Sequence, residues 1–510
     1  MDAMMKGLIG QCLTGGLVGT IVDEEFTRLV KEYKIGNVIL FRHNIESVEQ
    51  VTKLCKAIQE LIVAETGNPA FITIDQEGGV VTRLTDDACN VPGAMAVAAT
   101  GNTEHAQTLA RITARELKAI GVNFNLTPSV DVNNNKDNPV IGVRSYGDQP
   151  EKVASYACAT LKGYEEEGML CCVKHFPGHG DTAVDSHLGL PSIDKSMEEL
   201  EQMEFLPFKR AIEKGVPSVM ASHILFPQIE KDHIPCTMSK VLVTDILKNR
   251  MGFKGLVISD CLEMDAIQKF YGTPNGVVEG MKAGIDLLFV SHSLILLEES
   301  VKAMYQAVES GDVSEERIRE AAGMIKLYKD KYCSIGSVKN DTSANKKISN
   351  QIRKETFVLT QGSLFELGTN PFFVGPEDYR ATQASSQETT SVTFPEYMAK
   401  ELGGIGLVTT KDPDATELEK AVQMAKESTS IVIGTYNGHL LEGQMNLIKK
   451  LSKVSNQVVV VALRNPYDLI GLEKHVTGIA AWDYTTMTLE LLATMFKEQE
   501  TLTGVMPVTI

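Results

Sequence analysis

Several signals are missing from this 510-residue chain, and each absence excludes a class of function. Positive charge is short: 49 Lys and Arg face 66 Asp and Glu, for a net charge of −17. Nucleic acid and anionic membrane surfaces both reward clustered Lys and Arg, so neither is expected as a partner. No apolar run approaches the roughly 20 residues of a transmembrane helix. The stretch 7–22 is fairly apolar and follows Lys6, but Gln11 and five glycines interrupt it, and no small-residue cleavage site precedes Asp23-Glu24-Glu25. It is therefore not expected to be a secretory signal. Cysteine occurs at 12, 55, 89, 158, 171, 172, 236, 261 and 333, an odd number with no Cys-x-x-Cys spacing. That usage suits reduced, buried thiols in a cytoplasmic protein better than a disulfide framework. No Gly-Lys-Ser/Thr follows Gly178 and Gly180, so a phosphate loop is excluded. Repeats and coiled-coil heptads are also lacking.

Against that background one stretch stands out. Residues 174–187 read Lys-His-Phe-Pro-Gly-His-Gly-Asp-Thr-Ala-Val-Asp-Ser-His. Pro177, Gly178 and Gly180 rule out a regular helix. The apolar run 169–173 leads in like a buried strand, which predicts a polar loop thrown off the end of a core strand. Asp185 and His187 stand two apart and share a side of an extended segment. An Asp there can bond one imidazole nitrogen, fix the tautomer and leave the other nitrogen for proton transfer. A metal site is not expected, because the four-residue spacing of His175 and His179 helps only on a helix. His179 reads instead as a loop-stabilising residue.

Strand candidates 37–41, 70–74, 122–126, 169–173, 218–221, 255–258 and 285–290 alternate with helical patterns at 105–119, 151–166, 197–214, 240–251 and 294–309. This alternation predicts a parallel α/β architecture, and seven or eight units suit a (β/α)8 barrel better than an open sheet. Asp75, His175, His223 and Asp260 fall just after strand candidates, where barrel active sites are built. Periodicity fades over 334–350, which reads as a linker. Strands at 371–374, 405–408, 430–433 and 457–462 and helices at 415–426 and 444–453 then predict a smaller three-layer α/β/α sandwich. The division expected is a barrel over 1–335, a linker over 336–352 and the sandwich over 353–510. The Ser/Thr/Gln-rich stretch 382–393 reads as a surface loop.

The segment 255–264, Gly-Leu-Val-Ile-Ser-Asp-Cys-Leu-Glu-Met, sets Asp260 directly behind a strongly apolar strand. Two readings stand side by side: a carboxylate nucleophile at an acetal carbon, or the N-cap of the next helix. His223 reads as a satisfied core histidine, and Asp131 and Asp286 as structural carboxylates.

Together the segments Asp75-Gln76-Glu77-Gly78-Gly79 with Arg83-Leu84, Asn138 to Gly147, the 174–187 loop, Ser222 to Pro227 and Ser259 to Met264 resemble glycoside hydrolase family 3, in its β-N-acetylglucosaminidase branch. The ends Leu463 to Asp468 and Thr503 to Val508 resemble that family's second domain. The resemblance implies Asp260 as nucleophile, His187 as acid/base with Asp185 as its dyad partner, and Asp75, Arg144, Lys174 and His175 as sugar-binding residues. It implies a saccharide substrate containing N-acetylglucosamine, no cofactor, and either water or phosphate as acceptor. The alternatives are a phosphorylase using the same residues, a β-glucosidase, or a non-catalytic sugar-binding protein. Two departures from the family pattern are Cys261, where a second Asp is usual, and Val80, where an Arg is common. Nothing in the pattern specifies an oligomeric state.

Overall fold

A computed structural model describes residues 1–183, 185, 189–333, 338–382, 384–386 and 392–510. Its first sheet contains β1 (Leu13–Gly16), β2 (Asn37–Leu40), β3 (Phe71–Ile74), β4 (Phe124–Asn125), β5 (Leu170–Cys171), β6 (Val173–Phe176), β7 (Ser218–Ala221), β8 (Leu256–Cys261) and β9 (Leu287–Val290). Each pairs in parallel with its neighbour, and β9 returns to β1. β5 and β6 are two halves of one strand interrupted at Cys172: the first half pairs with β4 and the second with β7. The sheet thus closes into an eight-stranded barrel, as expected. Helices cover its outside, so its strands are buried on both faces and read as short continuous apolar runs.

The covering helices begin and end where local chemistry dictates. Ser47 accepts from the Gln50 N–H to cap Val48–Thr66, and Gly67, at φ 71°, ends it. Ser293 and Gly311 do the same for Leu294–Ser310. In each case a side-chain oxygen satisfies an orphan N–H, and a left-handed glycine turns the chain out of the helix.

The interrupted apolar stretch near the start becomes a helix, Ala3–Gln11, and then β1. This strand, Leu-Thr-Gly-Gly, escapes sequence reading because it has almost no apolar run. Its glycine is forced by packing: a Cβ on Gly16 would lie 1.7 Å from the Ser291 carbonyl oxygen.

The second sheet has six strands. They are β10 (Val358–Gln361), β11 (Phe372–Pro376), β12 (Ile405–Thr409), β13 (Ile431–Thr435), β14 (Val458–Ala462) and β15 (Val476–Ala480), in the order 10-15-14-13-11-12. All pairings are parallel except that of β10 with β15. Alternate residues serve two separate cores. Phe372, Val374, Ile431, Ile433, Val458 and Val460 pack with helices Ala415–Ala425 and Glu442–Leu451. Phe373, Val432, Val459 and Val461 pack with helices Phe394–Leu402 and Thr486–Glu498. This is the expected three-layer sandwich.

The stretch read as linker is corrected in part: Asp341 caps a helix, Thr342–Lys354. Three of its four buried residues, Asn345, Ser349 and Arg353, are polar and only Ile352 is apolar, which hides it from hydrophobic periodicity. Asn345 Nδ2 donates to Glu116 Oε1 at 2.7 Å, and Arg353 pairs with Asp483 at 2.7 Å, both buried. Among the described residues, no helix is long and apolar enough to cross a membrane.

Candidate active site

The C-terminal ends of the barrel strands surround a cavity of about 720 Å³, lined by Asp75, Arg144, Lys174, His175 and Asp260 among others. Five of the seven site residues expected from sequence therefore share one space. Asp185 is buried in the loop beyond β6, and its carbonyl accepts from the Gly189 N–H at 3.0 Å. His187 lies outside the described residues.

The strand carries more of the site than the sequence suggested. Lys174 and His175 belong to β6 itself, where a mobile loop was expected. Lys174 is 2% exposed, and its Nζ reaches Asp75 Oδ1 at 2.6 Å and Glu77 Oε1 at 2.7 Å. Arg144 grips Glu77 through two bonds, Nε to Oε2 at 2.9 Å and Nη2 to Oε1 at 2.8 Å. Two parallel N–H···O bonds are the strong, direction-setting form of this pair. Burial alone would raise the Glu77 carboxyl, but Arg144 and Lys174 outweigh it and hold Glu77 well below the usual carboxylate range. Burial would likewise lower Lys174, yet Asp75 and Glu77 raise it above its ordinary value. Glu77 and Lys174 thus stay ionised at neutral pH.

Glu77 is a site residue that the sequence reading missed. The signal was available: Asp75 and Glu77 stand two apart after a strand, so both reach the same side. Asp131, expected as structural, also has a larger part. Its Oδ2 meets His175 Nδ1 at 2.7 Å, and its Oδ1 accepts the His175 N–H at 3.2 Å and the His179 N–H at 2.6 Å. Burial would raise Asp131, but the charge and hydrogen bond of His175 bring it down to about 2. The carboxylate orients the ring and leaves His175 Nε2 facing Arg144 Nη2 at 3.4 Å.

His179 matches its expected loop role, with Nδ1 meeting Thr182 Oγ1 at 2.7 Å. Burial, followed by the nearby His175, lowers it to about 4, so it is neutral at physiological pH. Asn138 ties this loop to the Asn138–Gly147 motif by donating to the carbonyls of His179 and Gly180, both at 2.9 Å. Gly180 is required there, since a Cβ would sit 1.6 Å from Val132 O.

Asp260 lies within β8, and the next helix, Asp265–Gln268, begins beyond the strand's end, with Met264 at its N-cap position. The helix-cap reading of Asp260 is thereby overturned. Its Oδ1 accepts the Cys261 N–H at 2.7 Å. His223 is a satisfied core histidine, bonded to Thr237 Oγ1 at 2.6 Å and to the Cys261 carbonyl at 2.8 Å. Asp286 is structural too, accepting the Val257 N–H at 3.0 Å and pairing with Arg317 at 2.5 Å.

The stretch read as a surface loop is a further correction. Thr382 and Ser385 are buried, and Arg380, Ala384, Ser385 and Ser386 line the cavity from the second unit. Short polar residues look like loop filler in sequence. Here they supply the hydrogen bonds that seat one unit on the other.

A family profile described as the glycosyl hydrolase family 3 N terminal domain matches residues 10–326. The chain belongs to glycosyl hydrolase family 3. It is 32% identical over 334 residues to "Beta-hexosaminidase A" of Pseudoalteromonas piscicida, covering 61% of this chain and 56% of that protein. It is 34% identical over 302 residues to a "Beta-hexosaminidase" of Neisseria meningitidis serogroup C (strain 053442), covering 56% of this chain and 81% of the relative. Among solved structures, the family 3 beta-N-acetylglucosaminidase from Paenibacillus sp. str. FPU-7 is 33% identical, with a TM-score of 0.92 over 100% of this chain and 99% of that one. The family and two-part fold expected from the sequence motifs are thus borne out. This family 3 chain spans little more than half the length of its Pseudoalteromonas relative.

Proposed function

We propose that the chain is a retaining, exo-acting β-N-acetylglucosaminidase that releases terminal N-acetylglucosamine from muropeptides or chitin fragments. What supports this most directly is the position of Asp260 at the end of β8, opening onto the same cavity as the Asp75–Lys174–Glu77–Arg144 lattice. In this reading a carboxylate of Asp260 attacks the anomeric carbon while the bond to the aglycone oxygen breaks. His187, held by Asp185, gives its proton to that oxygen. The glycosyl–aspartate ester is then cleaved by a water whose proton returns to His187, giving net retention. The names of the relatives support the choice of sugar, and the lattice supplies both donors and acceptors for its hydroxyl and acetamido groups. Asp75, Arg144, Lys174 and His175 are the residues proposed to hold it.

A cytoplasmic setting, within cell-wall recycling, is part of the same proposal. It is supported by nine cysteines that are all free, six of them buried. Reduced thiols persist in such a compartment.

The test is turnover of p-nitrophenyl N-acetyl-β-D-glucosaminide with and without millimolar phosphate, with the sugar product read by mass. Free N-acetylglucosamine at a phosphate-independent rate is expected. N-acetylglucosamine-1-phosphate at a phosphate-dependent rate would make the chain a phosphorylase. Near-wild-type turnover by Asp260→Asn would remove Asp260 as nucleophile.

A further inference from the structure

The second unit does more than cover the barrel. Ser386 N donates to Val80 O at 2.9 Å, and Ser386 Oγ accepts from Thr82 N at 3.0 Å while donating to the Thr82 carbonyl. The same hydroxyl accepts from Arg83 Nη1 at 2.8 Å, and Ala384 O accepts from Arg83 Nη2 at 3.1 Å. Arg83 thus spends both terminal nitrogens on the second unit. Its guanidinium also lies 4.0 Å from Asp75 Oδ2, while Lys174 Nζ bonds the other oxygen, Oδ1. Arg83 is 6% exposed, lines the cavity, and has a buried Nε with no hydrogen-bond partner among the described residues. The loop that holds it is itself tethered from the sandwich. The buried Arg464 donates to Ser385 Oγ at 3.0 Å and to the Tyr436 hydroxyl at 2.7 Å, and Thr382 Oγ1 meets Ser385 Oγ at 2.9 Å.

We propose that the second unit is a working part of the sugar pocket: through Ser386, seated by Ser385 and Arg464, it fixes Arg83, which in turn sets the position of the Asp75 carboxylate. Ser386 is a positioning residue, since it acts on the sugar only through Arg83. The proposal rests on the glycosidase reading above. A barrel without this contact would keep the nucleophile but lose the outer support of Asp75. The effect therefore falls on the affinity for the sugar in the −1 position and spares the chemical step.

The test compares wild type, Ser386→Ala, Ser386→Thr and Ser385→Ala in the full-length protein. Each is measured for KM and kcat on the aryl N-acetylglucosaminide and for the inhibition constant of free N-acetylglucosamine. Losing a hydrogen bond to a charged donor predicts that Ser386→Ala raises KM and the inhibition constant together by about five- to twentyfold, with kcat within about twofold. Ser386→Thr keeps the hydroxyl and stays close to wild type. Ser385→Ala, which removes the contacts of its hydroxyl with Arg464 and Thr382 and leaves Ser386 in place, shifts both constants the same way by a smaller factor. Unchanged constants in Ser386→Ala, or a fall in kcat at constant KM, overturn the proposal. If Ser386→Ala fails to fold, Ser385→Ala alone decides it by the same criteria. A wild-type enzyme that turns over no aryl N-acetylglucosaminide, glucoside or xyloside instead overturns the glycosidase reading. The Ser386 comparison is then made on calorimetric affinity for N-acetylglucosamine and glucose.

Discussion

Two lysines at opposite ends of the barrel are equally buried, at 2% exposure each, and live in opposite electrostatic worlds. Lys174, at the mouth, touches two carboxylates at 2.6 and 2.7 Å and is raised above its ordinary value despite burial. Lys329, at the base, meets only neutral oxygens among the described residues, Gln11 Oε1 at 2.7 Å and Gly36 O at 3.0 Å, with the Phe71 ring 5.4 Å away. Burial drops it to about 7. Burial by itself therefore says nothing about charge; the partners decide. The mouth is built to keep ions inside protein, at the cost of desolvating them. The base uses a long amphipathic side chain to bridge a helix and two strand entrances.

The sharpest way to break this contrast is Lys174→Met. It strands Asp75 and Glu77 without their shared cation, and breaking a buried pair in this way costs about 3–5 kcal/mol. Chemical denaturation is expected to show that loss, and kcat/KM is expected to fall by at least about a hundredfold. Asp131→Asn comes next. His175 keeps a neutral partner but loses the charge that orients it, so a loss of about ten- to a hundredfold in kcat/KM is expected at unchanged melting behaviour within a few degrees.

Glu77→Gln sharpens the comparison through pH. The folded carboxyl of Glu77 is depressed below its ordinary 4.5, so its stabilisation is present above that pH and is lost as pH falls below it. Wild-type stability should drop between about pH 4.5 and pH 3, and the variant should show a shallower drop in melting temperature over that window.

Lys329→Met probes the alkaline range, where the slope has the same sign as for Glu77. Between about 7 and 10.5 the unfolded chain holds a proton that the folded Lys329 has released. Stability therefore rises with pH through that window, by at most about 1.4 kcal/mol per pH unit. The difference between wild type and variant in denaturation free energy, measured from pH 7 to 9, should carry that slope.

Legibility followed the kind of contact each residue makes. β7 was readable from the sequence to the residue, because Ser-Val-Met-Ala is a short apolar run between breakers. β1 was not, since its glycines answer to the Leu297 side chain and the Ser291 carbonyl, hundreds of positions away in the chain. β10 is half exposed and antiparallel at the sheet edge, so it has no continuous apolar run. The helix Thr342–Lys354 packs through Asn345 and Arg353, and periodicity weighs only apolar faces. At the site, Asp75, Arg144, Lys174, His175 and Asp260 were legible as polar residues at strand ends or in motifs. Glu77 and Asp131 were undervalued, and Arg83 and Ser386 could not be connected from their positions 303 residues apart.

The sequence by itself determined the alternation of strand and helix, the break into a barrel and a smaller sandwich, and the polar residues set on strand ends. These follow from local periodicity, capping and turn chemistry, which act over a few residues. Only the tertiary structure decided that Glu77 lies between Arg144 and Lys174, that Asp131 aims His175, that Lys329 donates to the neutral oxygens of Gln11 and Gly36, and that the sandwich reaches back to hold Arg83. Charge pairing and desolvation depend on which side chains meet in space, and chain closure brings together groups that no local pattern relates.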